Sequence, residues 1–125
     1  MRFTSVAAVC LGCLLLPPAT GAVAHQYSAP TTTSFKYKDG EFRGRVDSPR
    51  DACISQRKVK LVRHTDSDKE VVGRTRSNSK GRWRIDQPNA AGTYNAVVVR
   101  RFSAPTGHVH QCQRGASTPT TVVDP

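Results

Sequence analysis

No segment of this 125-residue chain repeats its apolar residues at helical spacing. Without helices, two common devices fall away: the helix N-terminus that holds an anion and the His-Glu-x-x-His face that holds zinc. A Gly-x-Ser-x-Gly elbow and a glycine-rich phosphate loop are also missing. Ser, His and Asp all occur, but a triad is defined by geometry and nothing in their spacing suggests one. The chain is therefore expected to be non-catalytic and to need no cofactor. Acidic residues are scarce as well: nine Asp and Glu stand against 19 Lys and Arg, for a net charge of +10. Long apolar runs are limited to residues 6–16, and eleven residues are too few to span a bilayer, which takes about 20.

That one apolar run reads as part of an export signal. Arg2 precedes it, Pro17 and Pro18 end it, and Ala22-Val23-Ala24 gives a small-residue cleavage pattern. Residues 1–24 are thus expected to be a signal peptide, with a mature chain that starts at His25 and is secreted without a transmembrane anchor. Acylation at Cys13 is the rival; residues 10–12 match a lipidation box poorly and the apolar core continues past it. Removing the leader takes one basic residue and no acidic one, leaving +9 on 101 residues. Cys10 and Cys13 leave with it, so Cys53 and Cys112 have a single intramolecular pairing in an oxidising compartment. Two free thiols, or a metal site with histidines, are the alternatives; the mature chain keeps no Cys-x-x-Cys pair to favour the latter.

What the chain has in quantity is alternation. Residues 41–47, 57–63, 69–75, 81–86 and 92–98 switch hydrophobicity with a two-residue period, and Gly, Pro, Asn and Asp punctuate the gaps. Successive strand residues point to opposite faces, so these are half-buried antiparallel strands. Residues 34–38 alternate too, and Asp39-Gly40 is a two-residue hairpin signal. Residues 25–33 are rich in Ser, Thr, Pro and Ala and read as a flexible lead-in. A long strand is expected to end near Phe102, and residues 108–114 and 120–123 to add two short ones. The expected architecture is an all-β, seven- or eight-stranded Greek-key antiparallel sandwich, a single domain over residues 34–125. Parity puts Phe42, Gly44 and Val46, Val59 and Leu61, Trp83 and Ile85, and Tyr94, Ala96 and Val98 inside, together with Val71.

The order Phe42-x-Gly44-x-Val46, Cys53, Arg57-x-Val59-x-Leu61-x-Arg63, Val72-Gly73, Gly81-x-Trp83-x-Ile85, Gly92-x-Tyr94-x-Ala96 and Cys112 resembles the transthyretin-like (prealbumin-like) sandwich. More narrowly, it resembles secreted bacterial domains of the carboxypeptidase-regulatory-like type. The resemblance covers residues 33–123 and implies a non-catalytic Greek key; its residues serve packing and turns, so it bears on fold more than on function. Related pilin and adhesin sandwiches carry an isopeptide-forming Glu about four residues after the Gly-x-Tyr turn. Val98 stands there in this chain, so no isopeptide bond is expected.

Three candidate sites remain. The basic residues obey the same parity: Arg43 with Arg45, Lys58 with Lys60, Arg74 with Arg76, and Arg82 with Arg84 face outward, and Arg100 and Arg101 extend the set. Such stripes attract anionic polymers, or they are solvated faces that discourage edge pairing. In an exported protein the expected partner is an anionic cell-envelope polymer or another extracellular protein, with no specific nucleic acid. An alternative is copper held by the amine and imidazole of a mature N-terminal His25 together with His108 or His110, which share one side of a strand. Asp66, Asp68 and Glu70 resemble the start of a calcium loop, but Val71 and Ser77 stand where its Gly and closing Glu belong. Turn formation accounts for those aspartates.

Overall fold

The alternating segments fold as expected into an all-β sandwich. The structure is a computed structural model that describes residues 25–104 and 108–123; the expected signal peptide, residues 1–24, lies outside the described residues. The front sheet is built from β2 (Thr32–Lys38), β3 (Glu41–Asp47) and β6 (Arg82–Asp86), in the order β2-β3-β6. The back sheet runs β5 (Lys69–Arg76), β4 (Lys58–His64), β7 (Gly92–Val98), and both β10 (Gly115–Ala116) and β11 (Thr120–Val122) pair with β7. All of these pairings are antiparallel. The β2–β3 hairpin turns through Asp39 and Gly40 at φ 53° and 74°, the left-handed pair that a two-residue type I′ turn requires.

The core lies between these two sheets. Phe42, Val46, Trp83 and Ile85 from the front meet Val59, Leu61, Tyr94, Ala96, Val98 and Val122 from the back, with Ala90 from the β6–β7 turn. Trp83 is only 4% exposed. It fits because Gly44 sits beneath it: a Cβ there would come within 2.2 Å of the indole and 2.5 Å of the Ser34 carbonyl oxygen. The indole Nε1–H donates to Thr33 Oγ1 at 3.3 Å.

Val71 departs from its expected place. The β4–β5 register shifts between Leu61 and Val62: Leu61 opposes Gly73 and Val62 opposes Val71, leaving Val72 as an extra residue. A bulge of this kind reverses facing beyond it. Val72 therefore packs against the core, while Val71 is 37% exposed.

A third, smaller sheet was not expected. It consists of β1 (His25–Ala29), β9 (His108–Cys112) and β8 (Arg101–Ser103), with β1 and β9 parallel. Within the segment read as a lead-in, His25–Ala29 is thus a strand, and the strand expected to run to Phe102 stops at Val98 and resumes in this side sheet. Among the described residues eleven strands stand where seven or eight were expected, because β1, β8 and β10 are pieces too short to show periodicity.

Two devices fasten the side sheet. The disulfide joins Cys112 of β9 to Cys53, in a 3-10 turn at Asp51–Cys53, with Cα atoms 5.4 Å apart and a sequence separation of 59. Beside it lies Arg57, fully buried. Its Nη1 donates to Thr31 Oγ1 at 2.9 Å and the Cys53 carbonyl at 2.7 Å. Its Nη2 donates to the carbonyls of Val99 at 3.0 Å and Gln113 at 2.9 Å. One guanidinium therefore ties together the β1–β2, β7–β8 and β9–β10 links. Burial, with Arg101 nearby, lowers its pKa to about 10, so it carries its charge at neutral pH. Its Nε alone finds no partner among the described residues.

Candidate anion-binding face

Parity alone leaves open whether the basic stripes share a sheet; the register decides it. On the outward side of the front sheet, Lys36, Arg43 and Arg84 form one cross-strand row, and Ser34, Arg45 and Arg82 the next. A third row, Lys38, Glu41 and Asp86, borders the first, and Asp47 closes the far end of β3. Five cations thus occupy two adjacent rows. Like charges facing one another across strands repel, and the carboxylates at the border relieve part of this. Arg43 Nε–H donates to Glu41 Oε1, and Arg45 Nε lies 3.2 Å from Asp47 Oδ1. The Arg43 guanidinium holds the Glu41 carboxyl below the ordinary carboxylate range, with a smaller contribution from Arg84. Glu41 in turn raises the Arg43 pKa. Arg82 and Arg84 have no ion pair among the described residues, and both are exposed.

The second pair of stripes lies on the opposite side of the sandwich. Lys58 opposes Arg76 and Lys60 opposes Arg74, on the outward side of β4 and β5. The two basic faces approach at the open β5/β6 side. A groove of about 670 Å³ there is lined by Arg43, Arg82 and Arg84 from the front sheet, Thr75 and Arg76 from the back, and Asn78 from the turn. The Asn78 side chain accepts from the backbone N–H of Lys80 and of Arg82, each at 2.9 Å, which sets the start of β6. Guanidinium groups on a rigid sheet offer forked donors suited to phosphate, sulfate or carboxylate oxygens.

Arg100 and Arg101 stand apart from these faces. Arg100 is exposed in the β7–β8 link. The Arg101 guanidinium donates to the carbonyls of Ser55, at 2.9 Å, and Ala52, so it braces the loop that carries Cys53.

The histidines fall in different settings. His25 and His108 are backbone partners in the β1–β9 pairing, as are Tyr27 and His110. The Tyr27 and His110 rings stack with centroids 4.5 Å apart, and the Arg50 guanidinium lies 4.5 Å above the Tyr27 ring. His64 Nε2 is hydrogen-bonded to Asn95 Oδ1 at 2.6 Å. Among the described residues no three His, Cys, Asp or Glu converge on a metal position. The acidic stretch at residues 65–69 is a turn: Thr65 N–H donates to the Asp68 carbonyl, and Asp68 Oδ1 accepts from Lys69 N–H. Sequence reading missed the burial of Arg57, although it stands just before β4 and shares odd parity with the buried Val59 and Leu61.

Among the described residues no helix is long and apolar enough to cross a membrane. The fold and this face together define a small, disulfide-linked, strongly basic β-sandwich. No family model, curated protein or solved structure matches the chain.

Proposed function

We propose that this chain is a secreted, non-catalytic β-sandwich module, of the carboxypeptidase-regulatory-like kind, that binds an anionic cell-envelope polymer. The observation that carries this reading is the gathering of Lys36, Arg43, Arg45, Arg82 and Arg84 into two adjacent rows on one exposed face. Residues two apart on a strand are about 6.7 Å apart, so the rows offer a regular ladder of charge to a chain that carries an anion on every repeat. The leader-like residues 1–24 and the Cys53–Cys112 disulfide support export. Binding through such a face releases counterions, so it weakens with salt: four phosphate contacts lose on the order of fifty-fold in affinity between about 50 and 200 mM.

The test is titration of the chain from His25 onward with a soluble poly(glycerol phosphate) and with a sulfated polysaccharide across that salt range. Steep salt dependence is expected. Arg82→Glu combined with Arg84→Glu should abolish most of the binding, and Lys58→Glu combined with Lys60→Glu should reduce it less. Absent or salt-independent binding overturns the reading.

A further inference from the structure

β5 and β6 are the outermost strands of their sheets on the same side of the sandwich, and residues 77–81 carry the chain from one to the other. This turn is held at both ends. Ser77 Oγ accepts from the Arg57 N–H at 2.9 Å and donates to the Ile54 carbonyl at 2.6 Å. The Asn78 N–H donates to the Arg82 carbonyl at 2.8 Å. Arg76, the last residue of β5, and Arg82, the first of β6, are thereby fixed on either side of one edge. The arginines round that edge are also the least committed. Arg43 and Arg45 each have a carboxylate partner. Arg74, Arg76, Arg82 and Arg84 are exposed and have no ion pair among the described residues. Three of these four line the groove, and Glu41, the one carboxylate among its described lining residues, is engaged by Arg43. A cleft with cations on both walls concentrates the field where the two faces meet.

We propose that the anionic polymer is a flexible chain that passes over this edge and lies on both faces at once. The inference rests on the anion-binding reading above and names the kind of polymer that site takes. A path along Lys36, Arg43 and Arg84, over the edge to Arg76 and on to its partner Lys58, crosses three front strands and two back ones. With strands about 4.8 Å and sheets about 10 Å apart, it is about 25 Å long. The track ends at β4, because on the next strand the partner of Lys60 is Val97. A linear phosphodiester with freely rotating single bonds can turn within that distance. A DNA duplex, with a persistence length of about 50 nm, cannot, so it reaches only one face.

The chain from His25 onward, with its disulfide intact, contains every described strand and is the form to test. Poly(glycerol phosphate) serves as the flexible probe and a short DNA duplex as the stiff one. Arg74→Glu combined with Arg76→Glu should weaken the flexible polymer by about tenfold or more at low salt and reduce its salt slope by about 2. Duplex binding should change no more than in Arg100→Glu combined with Arg114→Glu, which alters the net charge equally at exposed positions off the path. Arg43→Glu combined with Arg45→Glu should weaken both probes. As a reading that needs no variant, the flexible polymer should shift the side-chain Nε–H signals of Arg76 and Arg84 together, and the duplex that of Arg84 alone. Equal loss of both probes in the Arg74/Arg76 variant overturns the path over the edge. So does a flexible polymer that ignores this variant yet is lost with Arg82→Glu and Arg84→Glu; front-face binding then still stands. No polymer binding by the parent chain overturns both readings.

Discussion

The main sandwich and the side sheet are held together by opposite physics. Between the front and back sheets eleven residues are buried in one apolar cluster, and its aromatic members pack ring to ring: Phe42 lies 4.8 Å from both Tyr37 and Tyr94. Burial of that kind stabilises by about 25 cal/mol for each Å² removed from water. Under the side sheet the corresponding cluster is Ala29, Cys53 and Cys112, with Tyr27 at its border. Three small side chains cannot hold a sheet by burial alone. Its strands are joined instead by a covalent bond and by a guanidinium that serves four acceptors. A region can therefore be ordered with almost no core, provided its polar groups converge on one rigid donor.

Breaking the covalent link tests this contrast most severely. A cross-link between cysteines at a sequence separation of 59 contributes about 4 kcal/mol in the chain-entropy treatment. Cys53→Ser combined with Cys112→Ser should lower stability by that order in urea unfolding. The loss should be uneven: amide exchange should accelerate first in β1 and β9, while β3, β4 and β7 keep their protection. Equal acceleration in all five strands would show that the two regions unfold as one unit and that the contrast is only geometric.

Removing the guanidinium is the next largest perturbation. Arg57→Met keeps much of the volume but orphans the Thr31 hydroxyl and the carbonyls of Cys53, Val99 and Gln113. Buried groups left without partners cost about 1–3 kcal/mol each; with water reaching some of them, a net loss of about 3 kcal/mol is expected. Arg57→Lys should recover little, because one compact ammonium with three donors cannot span four acceptors around a planar fork. Chemical denaturation of both variants measures this. Parental stability in Arg57→Met would leave the side sheet resting on the disulfide alone.

How much of this was legible in the sequence follows the same division. β3, β4, β6 and β7 alternate apolar or small residues with polar ones over most of their length, and Phe42, Leu61, Trp83 and Tyr94 are all buried as parity requires. β1 was hidden because its Ser- and Ala-containing stretch has no amphipathic signal of its own. Its partner β9 lies at the other end of the chain, and a pairing between segments so far apart in sequence is a property of the assembled fold. The charged faces were half legible. Alternation shows that Arg43 and Arg82 point outward, but not that their strands are neighbours, since register is a property of the assembled sheet. Arg57 is the instructive miss: its parity pointed inward and its charge argued outward, and four well-placed acceptors settled the conflict in favour of parity.

The smallest perturbation concerns a place where parity itself fails. Strict alternation along β5 puts Val71 with the inward residues, whereas the bulge opposite Leu61 and Val62 turns Val72 inward instead. Val72→Ala removes two methyl groups from a partly buried position against the core and should cost about 1–1.5 kcal/mol. Val71→Ala acts at a surface site and should stay within about 0.5 kcal/mol. Thermal or urea unfolding of the two single variants compares them directly. If the order were reversed, β5 would pair with β4 without the slip, and Val71 would share the inward face with Gly73, which gives Ile85 room by lacking a Cβ that would sit 2.8 Å from its methyl. The two alanine variants thus read the register of an entire edge strand through a difference of about 1 kcal/mol.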